Sequence, residues 1–256
     1  MVEVIPITTI ALRVFGLLYE LIMITMGILS LRAAKRLKDR KITFFGAGLL
    51  MIGCGDLTHT IGHIVARDLW PEAPWSTIVD NATSMISISL ATGFYTCIYL
   101  YTSLVKKGII DRLGKVLICL APFSFIISSM SIPFANSTIM RVPHGRIFLY
   151  MAVLVLAPIG YISCYSLLTL AERLKRSREP VIAKRYTYVS YGVILMTTAI
   201  TLVLIHPLPH LIAPVVGLIG VRIITVIKTS SLLIGAFLTY LGIVGPRWFL
   251  EKLMRG

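Results

Sequence analysis

Charged residues, and acidic ones above all, are scarce in this chain, and their scarcity excludes an ordinary soluble domain. Only 14% of the 256 residues are charged and 57% are hydrophobic. Soluble domains carry roughly 25% charged residues. Asp and Glu together number 11, whereas Lys and Arg number 25. The composition predicts one all-α membrane domain over residues 1–256.

Cysteine is also rare, and its placement excludes a disulfide framework. The four cysteines all fall in apolar stretches, and none is spaced as C-x-x-C. Each is expected to behave as a small apolar side chain. Common catalytic signatures are missing as well, since the sequence has no G-x-S-x-G, no phosphate-binding loop and no H-E-x-x-H. No enzyme class is therefore indicated by a motif.

Hydrophobic residues are concentrated in seven blocks of roughly the length that crosses a hydrocarbon core about 30 Å thick. The blocks are 7–32, 42–67, 77–105, 115–134, 147–172, 186–206 and 212–244. The first has no short apolar core followed by a small-residue cleavage site, so we interpret it as a retained span rather than a signal peptide. The pattern predicts an integral membrane protein with seven transmembrane helices.

Lysine and arginine lie mostly on one side of this predicted topology. The segments that follow blocks 1, 3 and 5, counted with the residues at their edges, and the tail 245–256 hold 19 of the 25. The opposite loops hold only Arg67, Arg141 and Arg146. This asymmetry predicts an outside N-terminus and a cytoplasmic C-terminus. We expect the basic loops to contact anionic lipid headgroups rather than nucleic acid.

Three pairs of short segments recur in the same order along the chain. The pairs are "AKRLKDR" (34–40) with "AERLKRS" (171–177), "HTIGH" (59–63) with "HPLPH" (206–210), and "TSMIS" (83–87) with "TSSLL" (229–233). They indicate a 3+1+3 parallel repeat, in which 1–105 and 147–244 are copies joined by a linker helix at 115–134. Chance similarity within the limited alphabet of membrane proteins is the alternative explanation.

Ionisable residues interrupt these spans, although a charge at the centre of a membrane helix costs at least about 2.5–3.5 kcal/mol. They are Arg13, Glu20, Asp56, His59, His63, Asp80, Arg222 and Lys228. Asp56, His59 and His63 share one helical face. Lys228 is expected to pair with a carboxylate, with Asp56 or Glu20 at mid-membrane favoured over Asp80. All of the set except Arg13 form the predicted binding or proton-coupling site; a buried ion-pair network that only fixes helix packing is the structural alternative.

The second and third spans resemble those of uncharacterised seven-span prokaryotic integral membrane proteins. The second span of that family reads roughly G-D-x-F-H-L-x-P-R, which Gly55, Asp56 and His59 match while four other positions depart from it. An F-Y-x-x-x-Y pattern recurs at 94–99, and a lysine-threonine pair at 228–229. The resemblance implies seven spans and a prokaryotic cell membrane, but no activity.

The predicted topology also resembles that of SWEET and PQ-loop transporters and of microbial rhodopsins, although no proline-glutamine pair closes a span. Together with the ionisable residues, it favours an integral membrane transporter or receptor for a small polar solute or ion rather than an enzyme. No cofactor is expected under this hypothesis.

A metal-dependent membrane hydrolase is the first functional alternative. His59 and His63 lie one helical turn apart and could share a zinc ion with Asp56, and His206 and His210 are further candidate ligands. Histidines on two helices could instead bind haem. The prolines between His206 and His210 disfavour a regular helix there.

A retinal-binding photoreceptor is the second alternative. Lys228 lies halfway along the last span, where microbial rhodopsins attach retinal. That family places an aspartate one turn earlier, where this chain has Ile224, and it surrounds the ring with tryptophans. The tryptophans of this chain, Trp70, Trp75 and Trp248, all lie outside the predicted spans.

Overall fold

The structure of the protein, a computed structural model, describes residues 7–70, 72–130, 144–177, 179–202 and 209–245, together with 249, 251 and 253. Over these residues the fold is helical and contains no strand. The predicted all-α class is thereby confirmed.

Seven α-helices follow one another in the described part of the chain. They are α1 (Ile7–Leu37), α2 (Arg40–His63), α3 (Ser76–Lys107), α4 (Arg112–Met130), α5 (His144–Arg176), α6 (Pro180–Leu202) and α7 (Pro209–Val244). A π-helical segment, Ile64–Leu69, directly continues α2. Helix α1 extends beyond its apolar block, and its last turn contains Lys35 and Arg36. Cations in the last turn interact favourably with the helix dipole, which stabilises this extension.

Four helical stretches are long and apolar enough to cross a membrane. They are Arg13–Leu37, Arg40–Ala66, Ser76–Lys107 and Val226–Val244, as found among the described residues. The shortest has 19 residues. At 1.5 Å per residue it extends about 28 Å, close to the hydrocarbon thickness of about 30 Å. These stretches are consistent with the predicted membrane protein.

Six of the helices pack as a closed ring. Helix α1 packs on α2, α2 on α3, α3 on α5, α5 on α6, α6 on α7, and α7 on α1. Each ring helix contributes to one buried apolar cluster, through Met23, Leu49, Ile98, Leu167, Met196 and Leu232 among others. Helix α4 packs on α3 and α5 and exposes much of its apolar surface. The order of contacts within α1–α3 (the first triplet) thus recurs within α5–α7 (the second triplet).

The turns that carry most of the basic residues lie at one end of this ring, which we call the basic end. Lys38 and Asp39 alone separate α1 from α2. Lys38 adopts a left-handed φ of 51°, and the Asp39 carboxylate accepts the Lys41 N–H at 2.8 Å as the N-cap of α2. Arg185 donates to the backbone carbonyls of Gly242 and Ile243 near the end of α7, at 2.9 and 2.6 Å. The last turn of α7 is thus held against the start of α6.

Glycines allow α2 to approach both of its neighbours in the first triplet. They recur every seven residues on two faces of α2, with Gly46 and Gly53 toward α1, and Gly48, Gly55 and Gly62 toward α3. A Cβ atom at Gly53 would lie 2.9 Å from Ile24 Cγ1. Small residues permit such close contact between membrane helices. The polar side chains of α2 consequently come within hydrogen-bonding distance of α1 and α3.

Candidate functional site

The predicted polar face of α2 contacts both neighbouring helices. Helix α2 runs without a break from Arg40 to His63, so Asp56, His59 and His63 extend over about 10 Å of its axis. The side chains of all three are partly buried. Their hydrogen bonds to α1 and α3 turn this face into a site shared by three helices.

Hydroxyl groups from both flanking helices hold Asp56. Tyr19 Oη on α1 donates to Oδ2 at 2.8 Å, and Ser87 Oγ on α3 donates to Oδ1 at 3.4 Å. Within the described part of the chain, no Lys or Arg nitrogen lies within 4.0 Å of this carboxylate. Asp56 is therefore solvated by neutral groups of the protein.

The two histidines of this face are bonded to α3. His63 Nδ1 lies 3.1 Å from Asp80 Oδ1, and His59 Nδ1 lies 3.2 Å from Ser84 Oγ. The Ser84 hydroxyl also donates to the Asp80 carbonyl at 2.7 Å. A hydroxyl carries only one proton, so with this bond formed His59 Nδ1 is the donor to Ser84. That assignment leaves Nε2 of a neutral His59 free to accept a proton.

Glu20 is the most buried acid of the predicted site, with 3% of its surface exposed. Thr60 Oγ1 donates to its Oε1 at 2.5 Å. Its Oε2 is buried and has no hydrogen-bond partner among the described residues. The charges of Asp56 and Lys228 both act on Glu20 through space. Two acids and one base thus lie near the junction of α1, α2 and α7 without direct contact between their charged groups in the described part of the chain.

The direct ion pair predicted for Lys228 is not present in the described part of the chain. Lys228 is partly buried and acts electrostatically on Glu20 and His59, but no described carboxylate oxygen lies within 4.0 Å of its Nζ. Hydroxyls already occupy both oxygens of Asp56, whereas Oε2 of Glu20 has no partner among the described residues, so competition accounts for the absence of a pair only at Asp56. Helix α7 also packs on α1 far more than on α2.

Three residues that the structure adds to the site were not predicted from the sequence. Asp68 forms a double salt bridge with Arg13, in which Nη2 lies 2.7 Å from Oδ1. The predicted second span stopped one residue short of Asp68, which lies in the π-helical extension of α2. Tyr19 and Thr60 were also missed, although each directly neighbours a predicted residue in sequence.

Three predicted residues lie wholly or partly outside the described structure. His206 falls between α6 and α7 in the segment that is not described, and the side chains of Arg222 and His210 are likewise outside it. The proposed contribution of His206 and His210 to a metal site stays a prediction. Among the described residues, no three His, Cys, Asp or Glu side chains are placed to hold a metal ion.

The described side chains form a line that runs from the end of the bundle opposite the basic end toward its interior. It begins at His63 and Asp80, continues through His59 and Ser84, and reaches Asp56 and then Glu20 with their hydroxyl partners. Nearly every group on this line can donate or accept a proton. Carboxylate, imidazole and hydroxyl groups are the kinds of side chain that bind small polar molecules or ions and transfer protons.

No family model matches the chain, and neither a curated protein nor a solved structure does so. Membership of the seven-span prokaryotic family therefore stays a prediction. Any function assigned to the protein rests on the site itself.

Proposed function

We propose that the protein is a membrane transporter or receptor for a small polar solute or ion, and that protonation of the site is coupled to its occupancy. The observation that supports this is the line of ionisable side chains joined to hydroxyl groups between α1, α2 and α3. Ionisable groups at membrane depth are costly and usually mark a substrate path or a proton relay.

In this proposal all seven helices cross a prokaryotic cell membrane. The basic end faces the cytoplasm, where it contacts anionic lipids, and the N-terminus lies outside. The triplets α1–α3 and α5–α7 are parallel repeats, and α4 is the linker between them. The shared order of helix contacts supports this arrangement. Transporters built from such repeats bind substrate near mid-membrane, between the repeats. In this protein Glu20 on α1 and Lys228 on α7 would contact the substrate from the two repeats.

The test measures thermal unfolding of the purified protein with a fixed panel of probes: glycine, glutamate, lysine, acetate, glucose, sodium chloride and potassium chloride. A ligand at about one hundred times its Kd stabilises the folded state by about 2.7 kcal/mol, which shifts Tm by several degrees. We expect one chemical class to produce this shift, and its size to depend on pH.

The matched variants are Asp56→Asn and Asp39→Asn. The first removes a charge from the site, while the second makes the same change at an N-cap, where Asn serves as well as Asp. The shift should disappear in Asp56→Asn and persist in Asp39→Asn. No shift with any probe, or an equal shift in both variants, would contradict the proposal. Stoichiometric zinc lost in His59→Ala would instead support the hydrolase, and a retinal pigment lost in Lys228→Met the photoreceptor.

A further inference from the structure

We propose that Glu20 is the proton-carrying residue of this site, and that Lys228 becomes its partner when the proton leaves. The inference deepens the proposed function, on which it rests, by assigning the coupled proton to one side chain and its release to one helix interface, α1 with α7.

The hydrogen bonds of Glu20 indicate a neutral acid. An ionised carboxylate has two equivalent oxygens with about four acceptor sites, yet the described residues supply a single bond, from Thr60 to Oε1. In the neutral acid this hydrogen bond runs in the other direction, so that Oε1–H donates to the Thr60 hydroxyl and Oε2 is a carbonyl-type oxygen. An unfilled acceptor of that type is far less costly in a buried site than an unfilled acceptor of an anion.

The charged and titratable groups around Glu20 come from every helix packed against α1. On α1 itself Tyr19 is the neighbour, α2 presents Asp56, and α7 presents Lys228. Asp56 accepts hydrogen bonds from two hydroxyls, and a negative charge there opposes a second negative charge at Glu20. The positive charge of Lys228, in contrast, favours a negative charge at Glu20. The side chain of Arg222, also on α7, lies outside the described residues.

The exchange involves no covalent change except at the proton. The O–H bond of Glu20 breaks and its electron pair stays on the carboxylate. The proton leaves past His59 and His63 toward the end of the bundle opposite the basic end. His59 lies on that route with an imidazole nitrogen able to accept. The ammonium group of Lys228 then donates to the vacated carboxylate, so that one buried charge pairs with another. Because Lys228 is on α7, this step draws α7 toward α1.

Infrared spectroscopy of the full-length protein in lipid tests the assignment, because a protonated carboxylic acid has a C=O stretch distinct from that of a carboxylate. We expect this band at neutral pH in the wild type and in Asp39→Asn, and its loss in Glu20→Gln. The Gln side chain resembles the neutral acid in shape, so this variant is expected to fold. A band that survives in Glu20→Gln, or is absent from the wild type, would overturn the proposal.

The role of Lys228 has its own measurement, which also serves if Glu20→Gln fails to fold. In Lys228→Met the carboxylate loses its partner, so the band should persist to a pH at least one unit higher, a tenfold change in proton affinity. An unchanged titration would remove Lys228 from the mechanism. A band that decreases when sodium replaces choline at constant pH would identify a sodium site and contradict the proton assignment. If no probe shifts Tm but the band behaves as expected, the transport proposal fails while the assignment of the proton to Glu20 stands.

Discussion

The two triplets share an order of helix contacts but bury different kinds of polar side chain. The first triplet buries two carboxylates, Glu20 and Asp80, and has Asp56, His59 and His63 beside them. The buried polar side chains that the structure describes in the second triplet are hydroxyls: Ser163, Ser190, Thr197, Thr229 and Thr239. The first triplet therefore has a charged interior, whereas the described interior of the second is neutral apart from the partly buried Lys228.

The difference teaches that close helix packing does not require the charges. In the second triplet, a Cβ atom at Gly235 would lie 2.7 Å from the Gly192 carbonyl oxygen. Helices α6 and α7 thus approach as closely as α1 and α2, and they do so without a described buried carboxylate. A network needed only for packing would be expected in both triplets. The asymmetry supports a functional role for Glu20, Asp56 and Asp80.

The largest expected effect tests the packing that both triplets share. In Gly242→Ala the new Cβ atom would lie 2.6 Å from the Arg185 carbonyl oxygen. This oxygen belongs to the backbone of α6, so it cannot move aside as the end of a flexible side chain can. We expect a loss of about 3 kcal/mol in the free energy of unfolding, and about 1–3 kcal/mol for Gly53→Ala. Gly16→Ala is the control, because no atom lies within 4 Å of the added group. Unfolding in detergent measures all three, and equal stabilities would show that the close contacts are not formed.

The next effect belongs to the charged triplet. Arg13→Met leaves the Asp68 carboxylate, whose side chain is 17% exposed, without its partner. We expect a loss of about 1–2 kcal/mol, since a partly buried charge is stranded. Adding Asp68→Asn should restore part of the loss. Strict additivity in this double-mutant cycle would mean that the salt bridge contributes nothing.

A smaller effect concerns the connection between the first triplet and α4. Burial raises the pKa of Asp111, but hydrogen bonds from Lys107, Gly114 N–H and Tyr99 outweigh it and hold the pKa below its ordinary value. The pKa is therefore lower in the folded than in the unfolded protein. The stabilisation is present above about pH 4 and is lost as the pH falls through the folded pKa.

Asp111→Asn separates this charge from the capping role of the side chain. Asn still accepts the Gly114 N–H at the start of α4, so the variant should lose the acid-dependent component of stability and little else. Asp111→Ala should lose about 1 kcal/mol at neutral pH. Unfolding measured between pH 3 and 7 checks both variants. If the stability of Asp111→Asn still falls at low pH as it does in the wild type, the pH dependence comes from other carboxylates.

The smallest effect compares two threonines of the neutral triplet, both 0% exposed. Thr239 Oγ1 donates to the Gly235 carbonyl at 2.7 Å, whereas Thr197 Oγ1 has no partner among the described residues. We expect Thr239→Val to lose about 1 kcal/mol and Thr197→Val to lose nothing. Equal losses would show that Thr197 has a hydrogen-bond partner of its own.

Local sequence information was sufficient for the helical elements and for the polar face of α2. Each predicted block contains a helix, because in an apolar environment a helix satisfies its backbone polar groups within one segment. Asp56, His59 and His63 share a face because their spacing follows the helical repeat. Both inferences depend only on residues close together in sequence.

The contacts between helices could not be predicted in the same way. Whether Lys228 touches Glu20 depends on the rotation of α7 about its axis. Asp68 faces α1 because a π-helical segment continues α2, and no composition signal marked that segment. Such features arise from distant residues that pack together, and a single sequence does not specify them by spacing.

The two-residue turn between α1 and α2 has a consequence for the biogenesis of the protein. With only Lys38 and Asp39 between them, the two helices are expected to leave the insertion machinery as one hairpin. The bonds from Thr60 to Glu20 and from Tyr19 to Asp56 both lie within that hairpin. Each acid can therefore enter the lipid already bonded to a group from the other helix. The same contacts that form the site would then also lower the free-energy cost of inserting the hairpin into the membrane.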